Sequence, residues 1–291
     1  MATGGCTLSA SQNTILPIIV LYNTPLAASP SYQSLCASIG NQGAGNQVAV
    51  YDNSPVAQVA EAEARRLLAY KHDPDNGGLV AAYNWALEKA RSLGTGWLLL
   101  LDQDSNLPPS FFESALREAT TYGPVGNVVA IVPRVCSGGH VVSPMRVTVW
   151  GLSSIRAAAS GIQHTPIMAI NSGVTIRVSF LDLIGGFNRE YWLDFVDHWI
   201  FAQIYHRGFC AAVSNMQIAH DLSAQRPYAY STQRYQSILS SERQFVFSAN
   251  PSRPLIIYRF QLFFRAIRQL VQYRRPDLSI ITLRSMCHWT L

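Results

Sequence analysis

Two carboxylates, Asp102 and Asp104, stand two residues apart directly after four consecutive leucines, Leu98–Leu101. Carboxylates that close together are costly unless a cation or the donors of a ligand neutralise them. Oxygen ligands suit Mg²⁺ or Mn²⁺, and such a cation usually also holds the phosphates of a substrate. The run Asp102-Gln103-Asp104-Ser105 therefore reads as a candidate nucleotide-diphosphate site. An acidic turn is the competing reading, because Asp and Ser are common turn residues. A second constellation is Asn76-Gly77-Gly78, followed by Ala81, Ala82, Asn84 and Ala86. Glycines let the backbone approach a ligand closely, and the start of a helix favours phosphate or ribose oxygens. Taken alone, this stretch is equally an Asn-Gly turn before a helix. Third come Asp194 and Asp197, which share one face if the segment is helical. Trp192, Trp199 and Phe201 surround them, and an apolar wall improves a carboxylate as a general base. The plainer alternative has Asp194 capping the helix and Asp197 solvated beside it.

These residues need elements to hold them. Four leucines in a row predict a strand buried on both faces, at Trp97–Leu101. Strands are also expected at Ile15–Tyr22, Gln47–Tyr51, Val128–Val132, Ile167–Arg177 and Ala211–His220. Helices are expected at Ser31–Ile39, Val56–Ala69, Leu79–Leu93, Phe111–Thr121, Ser179–Ile184 and Tyr191–Tyr205. Residues 137–165, rich in Gly, Ser and Ala, read as extra strands or a loop. The alternation predicts an α/β fold, a mostly parallel sheet flanked by helices. Ligands of such sheets sit at the carboxyl ends of the strands. Asp52, the 75–78 turn and the Asp102/Asp104 pair would gather there.

Six motifs occur in order: Tyr51-Asp52-Asn53-Ser54, Asn76-Gly77-Gly78 with Ala82 and Asn84, Leu101-Asp102-Gln103-Asp104-Ser105, Asn171-Ser172-Gly173, Ile184-Gly185-Gly186-Phe187 and Leu193-Asp194-Phe195-Val196-Asp197. Over residues 12–222 the chain resembles an inverting family 2 glycosyltransferase of the GT-A fold, and within it the bacterial rhamnosyltransferase branch. The resemblance implies that Asp52 accepts hydrogen bonds from the donor's base. Asn76, Gly77 and Asn84 would line base, ribose or diphosphate. Asp102 and Gln103 would face ribose or sugar, and Asp104 would hold the Mg²⁺ or Mn²⁺. His220 would be a further metal ligand. Asp197 would be the general base, with Asp194 in reserve and Trp192 and Trp199 on the acceptor side. The family's acidic residue and Arg after the base are here Trp199 and Gln203. The implied donor is dTDP-rhamnose, with a UDP-hexose or UDP-N-acetylhexosamine as the alternative. The implied acceptor is a cell-surface glycan or a lipid-linked glycan.

Composition narrows the classes. The chain has 291 residues, 48% of them hydrophobic and 13% charged, enough for a full core and unlike a disordered chain. Net charge is +5, yet residues 251–291 carry seven Arg against one Asp. The positive charge thus belongs to the tail, and nucleic acid is not an expected partner. Five cysteines lie far apart without a CxxC pair, which argues for reduced thiols in a cytoplasmic protein, at most peripheral on the inner face of a bacterial inner membrane. No apolar run reaches membrane-spanning length. The expected organisation is a catalytic domain over 1–250, with a nucleotide half near 12–135 and an acceptor half near 136–250. A helical extension over 251–291 follows it. Basic and aromatic residues alternate through 251–275, which reads as a membrane-surface anchor, or as a helix packed on the domain or in a homodimer. A nucleotidyltransferase would want a Gly-rich, Lys/Arg-bearing loop after the first strand, which Leu21–Pro25 does not supply. A non-catalytic sugar-nucleotide scaffold is the other reading.

Overall fold

The strand that bears the acidic pair, Trp97–Asp102, lies in the middle of a nine-stranded sheet, and Trp97 to Leu101 are all fully buried. Each buried leucine contributes about 1.5–3 kcal/mol relative to exposure, so this strand anchors the core. The structure, a computed structural model, describes residues 13–40, 44–148, 151–154, 160–219, 230–249 and 255–287.

The chain divides into two compact units, residues 1–146 with 154–221 and residues 147–153 with 222–291. In the first, strands β1 (Ile15–Leu21), β2 (Ala49–Asp52), β3 (Ala69–His72), β4 (Trp97–Asp102), β5 (Val128–Ser137) and β12 (Cys210–Ala219) run in one direction. Pairing is parallel for β1 with β2 and β4, for β2 with β3, and for β5 with β12. Three strands oppose them: β6 (His140–Ser143), β9 (Gly161–Gln163) and β11 (Thr175–Arg177). The last sits between β4 and β5 and is antiparallel to both. Short strands β7 (Met145–Thr148), β8 (Gly151–Ser154) and β10 (Ile167–Met168) stand apart from this sheet, and β10 pairs antiparallel with β7. The helices of this unit are α1 (Pro30–Ile39), α2 (Glu61–Ala64), α3 (Gly78–Leu93), α4 (Phe111–Tyr122), α5 (Val178–Ile184) and α6 (Val196–His206). The second unit holds α7 (Thr232–Gln244), α8 (Leu255–Val271) and α9 (Pro276–Cys287), around a core of Tyr235, Leu239, Tyr258, Leu262 and Leu278. Within this unit α7 packs with α9.

Three local expectations are corrected. The helix expected over 56–69 shrinks to one turn, and from Ala69 the chain becomes the edge strand beside β2. The strand expected over 167–177 is broken into β10 and β11 by the Asn171-Ser172-Gly173 turn, where Gly173 adopts φ +82°. A Cβ there would lie 2.3 Å from Ile218. The helix expected from Tyr191 starts only at Val196, because Phe195 takes φ +67° and stops helical geometry before it.

β11 ends in a pin. The Arg177 guanidinium lies 4.6 Å over the Trp97 ring and donates to the carbonyls of Tyr122, Gly123, Val125 and Val128 at 2.9–3.3 Å. Burial lowers its pKa, yet an arginine stays charged, so the α4–β5 turn is fastened by one cation. Arg177→Lys cannot reproduce that fork. It should cost about 2 kcal/mol, read as a fall of about 5 °C in the calorimetric midpoint.

Candidate active site

Strand register brings the polar strand ends together. Val20 of β1 pairs with Asp102, and Leu21 pairs with Asp52, which in turn pairs with His72. Asp52, Asp102 and the 73–78 turn therefore share one edge of the sheet, as the alternation of elements predicts.

At the end of β4 the main chain is fixed before any side chain acts. The Ser29 hydroxyl donates to the Gln103 carbonyl at 2.6 Å. The Ser31 hydroxyl reaches the Asp102 and Ser105 carbonyls and accepts from the Ser105 amide at 2.9 Å. Gln103 returns toward β1, its Oε1 accepting from the Tyr22 amide at 2.8 Å. The Asp102 carboxylate is half-buried and accepts from the Ser172 hydroxyl at 2.5 Å, while Asp104 stands exposed. In the sequence Ser31 only opens the helix expected over 31–39 and nothing marks Ser29, which is the N-cap of α1.

The turn before α3 is equally constrained. Asp73 accepts from the Tyr51 hydroxyl at 2.6 Å and from the Gly77 amide at 3.0 Å. The Tyr51 hydrogen bond, first among its causes, holds the Asp73 carboxyl below its ordinary range. Asn76 and Gly78 take φ +53° and +76°. The Trp192 indole donates to the Asn76 carbonyl at 2.9 Å, and a Cβ on Gly78 would lie 2.2 Å from the Trp192 carbonyl. Trp192, expected on the acceptor side, packs on the 76–78 turn.

Two residues expected at the donor make contacts within the chain. Asp52 is wholly buried, and its carboxylate accepts from the Ser54 amide at 3.0 Å, the Gln58 amide at 2.6 Å and the Tyr70 hydroxyl at 3.1 Å. Its carboxylate shapes the loop after β2. Asn84 spends both ends of its amide on Phe187, donating to its carbonyl and accepting from its amide, each at 2.9 Å. It fastens the Gly185-Gly186 turn to α3.

Asp197 sits in the first turn of α6 and Asp194 in the non-helical segment before it, so the two do not share a helix face. The Asp197 Oδ1 accepts from the His198 amide at 2.8 Å and lies 2.9 Å from its Nδ1. With the ring proton on Nδ1 both contacts fall on that oxygen, and Oδ2 is left to take a proton from elsewhere. Trp199, half-buried two residues on, lies roughly 200° further round the helix, away from Asp197. Tyr83 of α3 is fully buried. Burial above all, then the negative charges of Asp102 and Asp197, keep its phenol neutral. The negative charges of Asp102 and Asp197 thus both act on one buried phenol. His220 lies outside the described residues. Among the described residues no three His, Cys, Asp or Glu side chains converge as a metal site.

Gly78→Ala forces Cβ into Trp192 and should cost about 2–3 kcal/mol, with a change in tryptophan emission. Gly94→Ala at the end of α3 shares the positive φ but meets open space. It should cost only about 1–2 kcal/mol and leave the emission alone.

Comparison with known proteins follows the same geometry. No curated protein matches the chain. Among solved structures, GalNAc-T7 with UDP, GalNAc and Mn²⁺ is 12% identical, with 94% of this chain and 54% of that chain covered and a TM-score of 0.59. The mannosyltransferase PcManGT from Pyrobaculum calidifontis, with GDP-Man and Mn²⁺, is 17% identical, with 95% and 76% covered and a TM-score of 0.51. The chain spans about half the length of the first of these. At such identities the likeness is one of fold, the mixed α/β sheet of GT-A proteins with a helical C-terminal extension. The family model described as "Glycosyl transferase family 2" matches residues 18–182, more than half of the chain and every strand end from β1 to β4. The chain belongs to glycosyltransferase family 2.

Proposed function

We propose that this protein is an inverting glycosyltransferase that moves a sugar from a nucleoside-diphosphate donor to a glycan hydroxyl. One observation carries the reading: the Trp192 indole ties the segment leading into Asp197 to the 76–78 turn, on the sheet edge that also carries Asp102, whose main chain Ser29 and Ser31 pin. This supports a site in which the Asp102 and Asp197 carboxylates serve one reaction.

The chemistry follows. The 76–78 turn and the start of α3 receive the diphosphate, whose negative charge suits a helix N-terminus. Asp102 and Gln103 orient ribose and sugar. The Asp197 Oδ2 takes the proton of the acceptor hydroxyl as its oxygen forms a bond to the anomeric carbon. The bond from that carbon to the diphosphate oxygen breaks, and the nucleoside diphosphate leaves. His198 holds Asp197 through Oδ1. The donor set fits a divalent cation: Mg²⁺ takes one or two carboxylates and completes its shell with phosphate oxygens and water. Asp104, with Asp102 behind it, would hold Mg²⁺ or Mn²⁺, which when bound neutralises the charge of the departing diphosphate. The Mn²⁺ in the GalNAc-T7 and PcManGT structures supports this reading.

For the donor we favour dTDP-rhamnose, on the wording of the Asp102–Ser105 and Asp194–Asp197 motifs. A UDP-hexose or UDP-N-acetylhexosamine is the alternative. The acceptor is a cell-surface or lipid-linked glycan.

The test is a thermal-shift panel of dTDP, UDP, GDP, ADP and CMP, each with and without Mn²⁺. A ligand at 100 times its Kd should stabilise the fold by about 2.7 kcal/mol. A Mn²⁺-dependent shift with dTDP, or with UDP, names the donor class; no shift with any nucleotide overturns the proposal. Asp104→Ala should remove the Mn²⁺ dependence of that shift. Asp197→Asn should keep the shift and lower kcat by about 10²–10⁴-fold in a sugar-transfer assay. Donor binding without turnover in the unaltered protein would instead mark a scaffold, the role its Trp199 and Gln203 would allow.

A further inference from the structure

Helix α8 is apolar on two opposite sides. One side is spent on its own unit: Tyr258, Leu262 and Ala266 are buried, Ser279 donates to the Ala266 carbonyl at 3.0 Å, and Gln269 accepts from Thr282 at 2.7 Å. Arg265 on that side is paired with Glu242 at 2.5 and 2.8 Å. The opposite side carries Ile256, Phe260, Phe263, Phe264, Ile267 and Leu270, between 43% and 61% exposed. At about 100° per residue these six fall within one arc of roughly 120°, centred opposite Tyr258. An exposed apolar patch of this extent is uncommon on a protein that meets only water.

Charge identifies what covers it. Arg259 and Arg268, both exposed, lie about 80° and about 100° to either side of the arc's centre. Exposed Arg274 follows the helix. Residues 255–271 contain three Arg and no Asp or Glu. A second copy docked through this side would bring like-charged edges together with no carboxylate on the helix to oppose them. A layer of anionic phospholipid supplies both requirements. The aromatic and aliphatic side chains enter the acyl boundary, and the flanking guanidiniums stay level with the phosphates. At 17 residues α8 is about 25 Å long, and among the described residues no helix is long and apolar enough to cross a membrane.

We infer that α8 is an interfacial helix that lies flat on an anionic phospholipid surface. This holds whichever sugar the protein transfers.

The test is flotation of the purified full chain with vesicles of phosphatidylcholine alone or mixed with phosphatidylglycerol. The unaltered protein should float with the anionic vesicles, at least about tenfold more than with neutral ones, and less at high salt. Phe260→Ser, Phe263→Ser, Phe264→Ser and Ile267→Ser combined should abolish flotation. Arg259→Gln with Arg268→Gln should erase the preference for anionic lipid. The four changed apolar side chains are exposed, so the circular dichroism spectrum and any nucleotide-induced thermal shift should persist, which separates this outcome from a failed donor assignment. Three results overturn the inference: binding indifferent to lipid charge, binding that survives the fourfold change, or no binding by a dimer that the fourfold change turns into monomer. The third would give the helix to a second copy. Should the fourfold variant fail to fold, the comparison of neutral and anionic vesicles with the unaltered protein still decides.

Discussion

The grip of two serines on the main chain of residues 102–105 is the interaction on which the sheet edge depends. A strand covered on both faces meets solvent only at its ends, so β4 can present charge only beyond Leu101. There the chain would be free to fray, and the Asp102 and Asp104 carboxylates would drift apart to relieve their repulsion. Ser29 and Ser31, both fully buried at the start of α1, take up the carbonyls of Asp102, Gln103 and Ser105 and the amide of Ser105. The side chains are left for other work. The position of α1 thus fixes the spacing of two negative charges on another element.

Polar groups behind the edge follow the same logic. Asp52, Asp73 and Asn84 each satisfy donors of a turn: the loop after β2, the Asn76–Gly78 turn, and the Gly185-Gly186 turn. Gly186 makes the close approach necessary, since a Cβ there would lie 2.6 Å from the Asn84 Oδ1. Residues that a family pattern groups with the ligand can therefore serve it at one remove, by holding the backbone that touches it.

Much of this was legible in the sequence where the signal is local. The Leu98–Leu101 run, the capped apolar stripe of α3 and the order of strand ends all state their own geometry. The helix expected over 56–69 failed because Ala and Glu favour a helix only weakly, and β2 needs a neighbour; pairing with Ala69–His72 and the reach of Tyr70 to Asp52 outweigh propensity. The segment at 191–195 misled for another reason. Its aromatic periodicity is real, but Trp192 is drawn to the Asn76 carbonyl and Phe195 enters the left-handed region, so the face shared by Asp194 and Asp197 never forms. The serines of α1 gave no signal because a cap and a long-range clamp look the same along the chain.

The attachment of Trp192 to the 76–78 turn has a thermodynamic consequence. Its indole hangs on the Asn76 carbonyl, its own carbonyl rests over Gly78, and the chain then runs through Phe195 directly into Asp197. The turn and the start of α6 are thereby parts of one mechanical piece. Whatever stiffens or displaces the turn is felt five residues downstream of Trp192, and reciprocity requires that order imposed at Asp197 return to the turn with the same free energy. Order at the 76–78 turn and order at the start of α6 are thus linked through Trp192.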